Sequence, residues 1–296
     1  MRSQPLTISA PAKVNLFLSV LGRRPDGYHE IRTILQTISL KDRLQFHPAK
    51  NSLTFQCSDQ SVPTAGDNLC VRAARLMHAI ARRAGRNPGV HIALRKAIPM
   101  QAGLGGGSSD AAATLIALNR LWGLRMSLEQ LALLAARLGS DVPFFLHGGT
   151  ALALGRGEVI VPLPEASTRA CLVVVKPAVG VSTSWAYQEW DRRRLLPGGD
   201  CGAAVNAVSA PTPSDISMAL HNDFERVILR QHRILAAIKR DLMQAGCLGA
   251  LLCGSGAAVF GIAPSKHLAQ RTASSLEHKY GWAKAVHTVG SARWTR

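Results

Sequence analysis

The chain has 296 residues, of which 47% are hydrophobic and 18% charged, and a formal net charge of +17. That balance is too apolar for a disordered chain. Its longest weakly polar stretch, residues 249–263, is broken by glycines and falls short of the roughly 20 residues of a spanning helix, so a transmembrane role is excluded. The charge points to anionic partners (nucleic acid, anionic lipid or a phosphorylated small molecule) or to a solvated basic face. With only 5% aromatics and no aromatic–basic stripe, neither nucleic acid nor a membrane is the expected partner.

In chain order, the first 60 residues read as strands. Val14, Leu16, Leu18 and Val20 alternate with their neighbours, as do Ile34, Gln36 and Ile38, and Pro25-Asp26-Gly27 marks a turn between the two runs. Lys13 and Asn15 sit inside the apolar start, which argues against a secretory signal. Residues 67–84 carry apolar positions at helical spacing, with Asp67 or Asn68 as N-cap and Gly85 as stop. Residues 90–96 alternate as a strand, and helices are expected over 108–122 and 127–138. The second half begins near residue 160, with a buried strand at 170–177, an irregular segment at 191–213 and one helix over 224–245. Strand, glycine turn and strand follow over 247–263, then a helix over 265–279 and a closing strand at 283–289. This is an α+β chain in two lobes, 1–159 and 160–296. The six cysteines (Cys57, Cys70, Cys171, Cys201, Cys247 and Cys253) form no C-x-x-C, which suits a reducing, cytoplasmic setting without disulfides or structural zinc.

The sharpest local feature is the run Pro99-Met100-Gln101-Ala102-Gly103-Leu104-Gly105-Gly106-Gly107-Ser108-Ser109, between a strand and an alanine-rich helix. Glycines let backbone N–H groups turn toward an anion, and the helix N-terminus adds its dipole. Ser108 and Ser109 can donate to phosphate oxygens or bind magnesium. No G-K-[ST] follows, so this is not a Walker loop, and Ser108 stands where a dinucleotide motif needs glycine. A branched side chain at Gly106 is expected to invade the phosphate path. Asp141, after the Gly139 stop, is either an N-cap or a carboxylate able to accept a proton from an alcohol. Lys13 either snorkels to solvent or points into a site. Gly254-Ser255-Gly256 is either a hairpin or a close approach of backbone to ligand.

Together these segments resemble the GHMP kinases, whose motifs are an N-terminal P-x-K-x-N-L, a central glycine–serine phosphate loop and a C-terminal glycine turn, here at residues 11–16, 99–112 and 253–261. Asp26-Gly27-Tyr28-His29, the triple glycine before Ser108, residues 67–69 and 140–145, and Asn222-Asp223-Phe224-Glu225 are similar to the members that act on a cytidine-diphosphate-linked polyol. The resemblance implies a two-lobed GHMP kinase fold with the active site in the cleft between lobes. It implies ATP and Mg²⁺, and transfer of the γ-phosphoryl group to a hydroxyl of that polyol in non-mevalonate isoprenoid precursor synthesis. By the same resemblance Asp141 is the catalytic base, Lys13 steadies charge at the attacking oxygen and Asn15 fixes the acceptor hydroxyl. Residues 99–109 cradle the ATP phosphates, Ser109 is the magnesium candidate, and Asn68 and Lys96 contact adenosine. Tyr28 and His29 read cytosine, Tyr187 (rather than Trp185) closes the stack on the base, and Gly254, Ser255 and Gly256 approach the substrate. A monomer or weak homodimer is expected. Kinases of homoserine or mevalonate type are the alternative within the family, but their substrates do not need Tyr28 and His29. A basic nucleic-acid binder is the alternative outside it. Cys253 and Ala257 depart from the family pattern, which places hydroxyl residues around this turn.

Overall fold

The computed structural model describes residues 5–164, 169–209 and 212–291. Two long strands, β1 (Leu6–Arg23) and β2 (His29–Lys50), pair antiparallel around a tight turn in which Asp26 Oδ1 accepts from Tyr28 N and Gly27 takes φ +85. Their register slips at Pro11/Ala12, Asn15/Phe17 and Val20/Gly22, so β1 bends along its length. The period-2 pattern of β1 predicts a half-buried strand, yet residues 12–20 are all buried. Val14 and Leu16 sit in one apolar cluster and Leu18 and Val20 in another, both shared with the second half of the chain. The polar alternates Lys13 and Asn15, only 3% exposed each, are thereby directed into the interior of the cleft described below.

Next come β3 (Leu53–Cys57), α1 (Leu69–Arg83) and β4 (Pro88–Arg95). Helices α2 (Gly106–Leu121), α3 (Leu128–Leu138) and α4 (Val142–His147) lead to β5 (Thr150–Leu154) and β6 (Val159–Pro162). Strand order in the first sheet is β3-β4-β2-β1-β8, where β8 (His221–Asn222) belongs to the second half, and β5 and β6 extend from β2. Besides β1, the long β2 pairs with two further strands, β5 near its start and β4 near its end. Helix α2 is built almost wholly of small and apolar residues on its buried side, Ala111, Ala112, Ala113, Leu115, Ala117 and Leu118, which lets it lie close against α1 and β1.

The second half holds β7 (Cys171–Val175), α5 (Thr183–Arg192), α6 (Cys201–Val208), α7 (Pro213–Met218) and β8. It continues with α8 (Glu225–Gln231), α9 (Arg233–Gln244), β9 (Gly249–Leu252), β10 (Val259–Ala263), α10 (Lys266–Tyr280) and β11 (Ala283–His287). Its sheet runs β11-β7-β10-β9, all antiparallel. Two expectations are corrected here. The helix expected over 224–245 is two, broken at His232 (φ −111, ψ 78), where no glycine or proline signals a stop and the imidazole meets the Trp185 ring edge. The segment expected to be irregular contains α6, capped by Asp200 Oδ1 on Gly202 N and Ala203 N, with Ala204 and Val208 buried. No helix among the described residues is long and apolar enough to cross a membrane, and all six cysteines are free.

Candidate active site

The phosphate loop is fixed from both ends. At its start the Asp42 carboxylate accepts from Ala97 N (2.6 Å) and Ile98 N (2.9 Å), and Lys96 Nζ donates to Asp42 and, at 3.0 Å, to Asp110 on α2. Farther on, Gly103 (φ +73) passes so close to the C-terminal turn that a Cβ there would lie 2.0 Å from the Cys253 carbonyl oxygen. Gly105 (φ +69) has no side-chain cap to offer α2, whose first N–H groups are therefore available to a ligand. Backbone bonds knit the three motifs into one unit: Lys13 N to Leu104 O, Ala257 N to Gln101 O and Ala258 N to Ala102 O.

Two chambers meet at this loop and share Gly103, Gly105 and Ser108. The smaller, about 360 Å³, is lined by residues 99–108 together with Asn68, Lys96 and the apolar Val62, Leu69 and Leu94. The larger, about 630 Å³, holds Lys13, Asn15, Tyr28, His29, Asp141, Tyr187, Gly254 and Ser255. Lys13 does not snorkel. Its Nζ lies buried, donates to Asn15 Oδ1 at 2.7 Å and stands 3.6 Å from Asp141 Oδ2. Asn15 in turn donates to Thr33 Oγ1 at 2.8 Å, and Thr33 to the Phe17 carbonyl at 2.7 Å, so the lysine is held by a chain of hydrogen bonds rather than by the acid alone. Asp141 precedes α4 but caps nothing, and its side chain is 38% exposed. It is an unspent acceptor beside a fixed cation. Gly254 presses against this pair, since a Cβ there would come within 3.3 Å of Asn15 Oδ1 and 3.5 Å of Lys13 Nζ.

Several predicted residues sit differently. Ser109 lies on neither chamber: its hydroxyl is fully buried and unpartnered, because α2 turns it into the core, whereas Ser108 faces both chambers. A Cβ at Gly106 would meet Ile98 Cγ2 at 3.0 Å and the Lys96 ammonium at 3.2 Å, so the space beside it is already taken by protein. Lys96 itself is claimed by two carboxylates. Asn68 lines the smaller chamber, but Oδ1 caps α1 at Cys70 N and Nδ2 donates to the Pro63 carbonyl. Gly256 lies under the turn against Leu252 and Val181. Cys253 and Ala257 are buried; burial pushes the Cys253 thiol up to about 12, and the Cys253 carbonyl accepts from Gly256 N at 2.8 Å.

In the larger chamber Tyr28 is 54% exposed, with the Arg156 guanidinium 4.5 Å over its ring. Tyr187 stacks on His29 (4.3 Å, 16°) and sets its edge on Phe224. It covers one face of His29 and lines the same chamber as Tyr28. Burial, with the Asp141 charge nearby, raises the Tyr187 phenol well above its ordinary range, so it stays neutral. Arg156, Arg23 and Asp191 also face this chamber, and sequence reasoning missed them. Arg23 was within reach, in the Arg23-Arg24-Pro25 run before the turn; Arg156 and Asp191 arrive through pairings that leave no local signal.

The model for the GHMP kinases N terminal domain matches residues 68–149, and that for the GHMP kinases C terminal matches residues 212–281. A 4-diphosphocytidyl-2-C-methyl-D-erythritol kinase of Synechococcus sp. (strain JA-2-3B'a(2-13)) is 42% identical over 94% of this chain and 91% of its own. The chain belongs to the GHMP kinases. A relative of the same name from Moorella thermoacetica is 45% identical over 93% of this chain and 96% of its own. The crystal structure of a 4-(cytidine 5'-diphospho)-2C-methyl-D-erythritol kinase superposes with a TM-score of 0.80, at 38% identity, covering 96% of this chain and all of that one. As a GHMP kinase it is an ATP-dependent small-molecule kinase. The glycine loop with the free α2 N-terminus is the part of the fold suited to polyphosphate.

Proposed function

We propose that the chain transfers the γ-phosphoryl group of ATP to the 2-hydroxyl of 4-diphosphocytidyl-2-C-methyl-D-erythritol, giving the 2-phosphate and ADP, in non-mevalonate isoprenoid precursor synthesis. The observation that carries this is the Lys13–Asp141 pair in the larger of two chambers that share the glycine loop, a chamber also walled by Tyr28, His29 and two arginines. ATP lies in the smaller chamber with its phosphates along residues 99–108. The acceptor lies in the larger, its base against Tyr28 and His29 and its diphosphate toward Arg23 and Arg156.

Phosphoryl transfer requires in-line placement and relief of spreading charge more than covalent chemistry. Asp141 Oδ2 accepts the proton of the attacking hydroxyl as the new oxygen–phosphorus bond forms and the bond to the β-phosphate oxygen breaks, releasing ADP. Lys13 Nζ neutralises charge at the same point, and Asn15, having given its carbonyl to Lys13, keeps that ammonium aimed. The free N–H groups at the start of α2 receive the negative oxygens. No cluster of three His, Cys, Asp or Glu side chains occurs among the described residues. That fits Mg²⁺, which takes few protein oxygens and relies on nucleotide phosphates, with the Ser108 hydroxyl as the side-chain donor facing both chambers. Mg²⁺ held beside Ser108 with the nucleotide would supply positive charge to offset that of the phosphates.

The test is ADP release with Mg-ATP from the cytidyl substrate, compared with homoserine and mevalonate. Turnover of the cytidyl compound alone supports the assignment. Turnover of another alcohol in its place would keep the Lys13–Asp141 chemistry and discard the cytidine chamber.

A further inference from the structure

His29 is held on two sides that the reaction itself does not explain. Its ring face is covered by Tyr187, itself braced edge-on by Phe224. Its Nε2 lies 2.9 Å from Asp191 Oδ1, a residue 162 positions away near the end of α5. The run Asp191-Arg192-Arg193-Arg194 reads as a local charge cluster, but the structure separates it. Glu189 takes Arg192 through Nε and Nη2, both at 2.7 Å, and Arg193 through Nε at 3.2 Å. Asp191 is thereby left to the imidazole.

We infer that Asp191 is a specificity-determining positioning residue: it fixes which hydrogen-bonding edge His29 presents to the base, and so selects a base with an exocyclic amine over one with a carbonyl at the same place. A carboxylate only accepts, so Nε2 carries the hydrogen. In the neutral ring Nδ1 is then a lone-pair acceptor. An exocyclic amine donates to that lone pair. A carbonyl at the same position sets lone pair against lone pair and leaves both acceptors unpaired, which is how sites built around a hydrogen bond reject near-isosteres. Tyr187 prevents the ring from tipping to offer its other edge. Asp191 touches neither substrate nor reacting atoms and acts only through His29. The inference rests on the assignment of the larger chamber to the cytidyl substrate.

The experiment compares kcat/KM for the cytidyl substrate with that for its uridyl counterpart, in the wild type, Asp191→Ala and Asp191→Glu. It is read alongside the ¹⁵N signals of the His29 ring. Asp191→Ala is expected to lower the cytidyl-to-uridyl ratio by about tenfold, the loss of one hydrogen bond to a charged group, through KM for the cytidyl compound, with KM for ATP unmoved. Asp191→Glu should restore most of the ratio, and the wild-type ring should show a protonated Nε2 and a bare Nδ1. An unchanged ratio in Asp191→Ala, or a wild-type ring protonated at Nδ1 alone, overturns the inference while leaving the chamber assignment standing. A folded wild type that turns over neither pyrimidine compound overturns both.

Discussion

Two lysines flank the same glycine loop, and each is matched with carboxylate, but they are set up in opposite ways. Lys96 is clamped between Asp42 and Asp110, with side-chain exposures of 8%, 0% and 3%. Lys13 stands 3.6 Å from a single acid that remains 38% exposed. In the closed cluster, burial pushes the Asp110 carboxyl up to about 7 against the pull of Lys96, and one Asp110 oxygen has no hydrogen-bond partner. Burial also works against the Lys96 ammonium, yet the two carboxylates outweigh it and raise its pKa, so the lysine stays charged. Such a group is expensive to build and has no capacity left for a substrate. In the open pair the lysine is fixed by Asn15, while the acid caps no helix and keeps access to the cleft. The contrast teaches that a lysine beside a phosphate loop is assigned by what its partners still have free, since proximity alone would give both the same role.

The largest expected effect breaks the open pair. Asp141→Asn keeps shape and removes the proton acceptor, so kcat should fall by about 10³-fold, within the range for loss of a general base. ATP affinity should stay within a few-fold, because the smaller chamber is untouched. Single-turnover rates and equilibrium ATP binding separate the two; a near-normal rate would remove Asp141 from its role.

Breaking the closed cluster should instead cost stability. Lys96→Met strands two buried carboxylates, a loss of about 3–5 kcal/mol, or a fall in Tm of roughly 10 °C for a chain of this size. Thermal unfolding checks it. A Tm within two or three degrees of wild type, with ATP affinity lost, would return Lys96 to the list of nucleotide contacts and dissolve the contrast.

The same contrast shows how much was legible beforehand. Of the three motifs, far apart in the chain, only the glycine–serine loop points to a function from residue type and spacing alone; Lys13, Asp141 and the C-terminal turn each stay open between a structural and a functional reading until the resemblance to the GHMP kinases joins them. The alternation in β1 foretold which residues share a face with Lys13, but not that the opposite face is also buried. What stayed hidden depends on pairs created by the fold. Asp42 meets Lys96 across 54 residues, Asp191 meets His29 across 162, and Arg156 meets Tyr28 only because β5 docks on β2. None of these partners is marked by local pattern. Lys96 is expected as a nucleotide contact by resemblance alone, and its two carboxylate partners come from β2 and α2. Ser109 looked equivalent to Ser108 because adjacent residues differ in direction only once the helix has begun.

A smaller effect links the two regions. At Gly106 a Cβ would lie 3.0 Å from Ile98 Cγ2 and 3.2 Å from Lys96 Nζ. Gly106→Val therefore overpacks the closed cluster, at about 1–3 kcal/mol, and shifts the start of α2. KM for ATP should rise several-fold, with KM for the cytidyl substrate little changed. An unmoved ATP KM would show that the cluster does not brace the loop. Tyr28→Ala tests the far wall of the open chamber: losing one base–aromatic stack, worth about 1–3 kcal/mol, should raise the cytidyl KM about tenfold and spare ATP. The reverse pattern would mean that the two chambers have been exchanged.

The smallest effect is a slope. Asp223, fully buried, offers a second case of an enclosed carboxylate, and its balance differs from that of Asp110. Burial alone would raise it, but His221 (3.1 Å) and the N–H groups of Val20 (2.9 Å) and Gly198 (3.2 Å) more than offset this and hold it below the usual carboxylate range. A carboxylate with a depressed folded value binds fewer protons folded than unfolded. It therefore adds stability above the ordinary carboxylate pKa, and loses that stability as the pH falls through the lower folded value. Asp223→Asn should flatten the acid side of the stability profile below about pH 4, where denaturant midpoints of wild type and variant should converge. A variant that tracks the wild-type slope in parallel down to the acid limit would show that Asp223 is not the group through which β1, β8 and the segment at Gly198 feel the pH. The difference between satisfied and unsatisfied burial would then have to be sought at Asp110 alone.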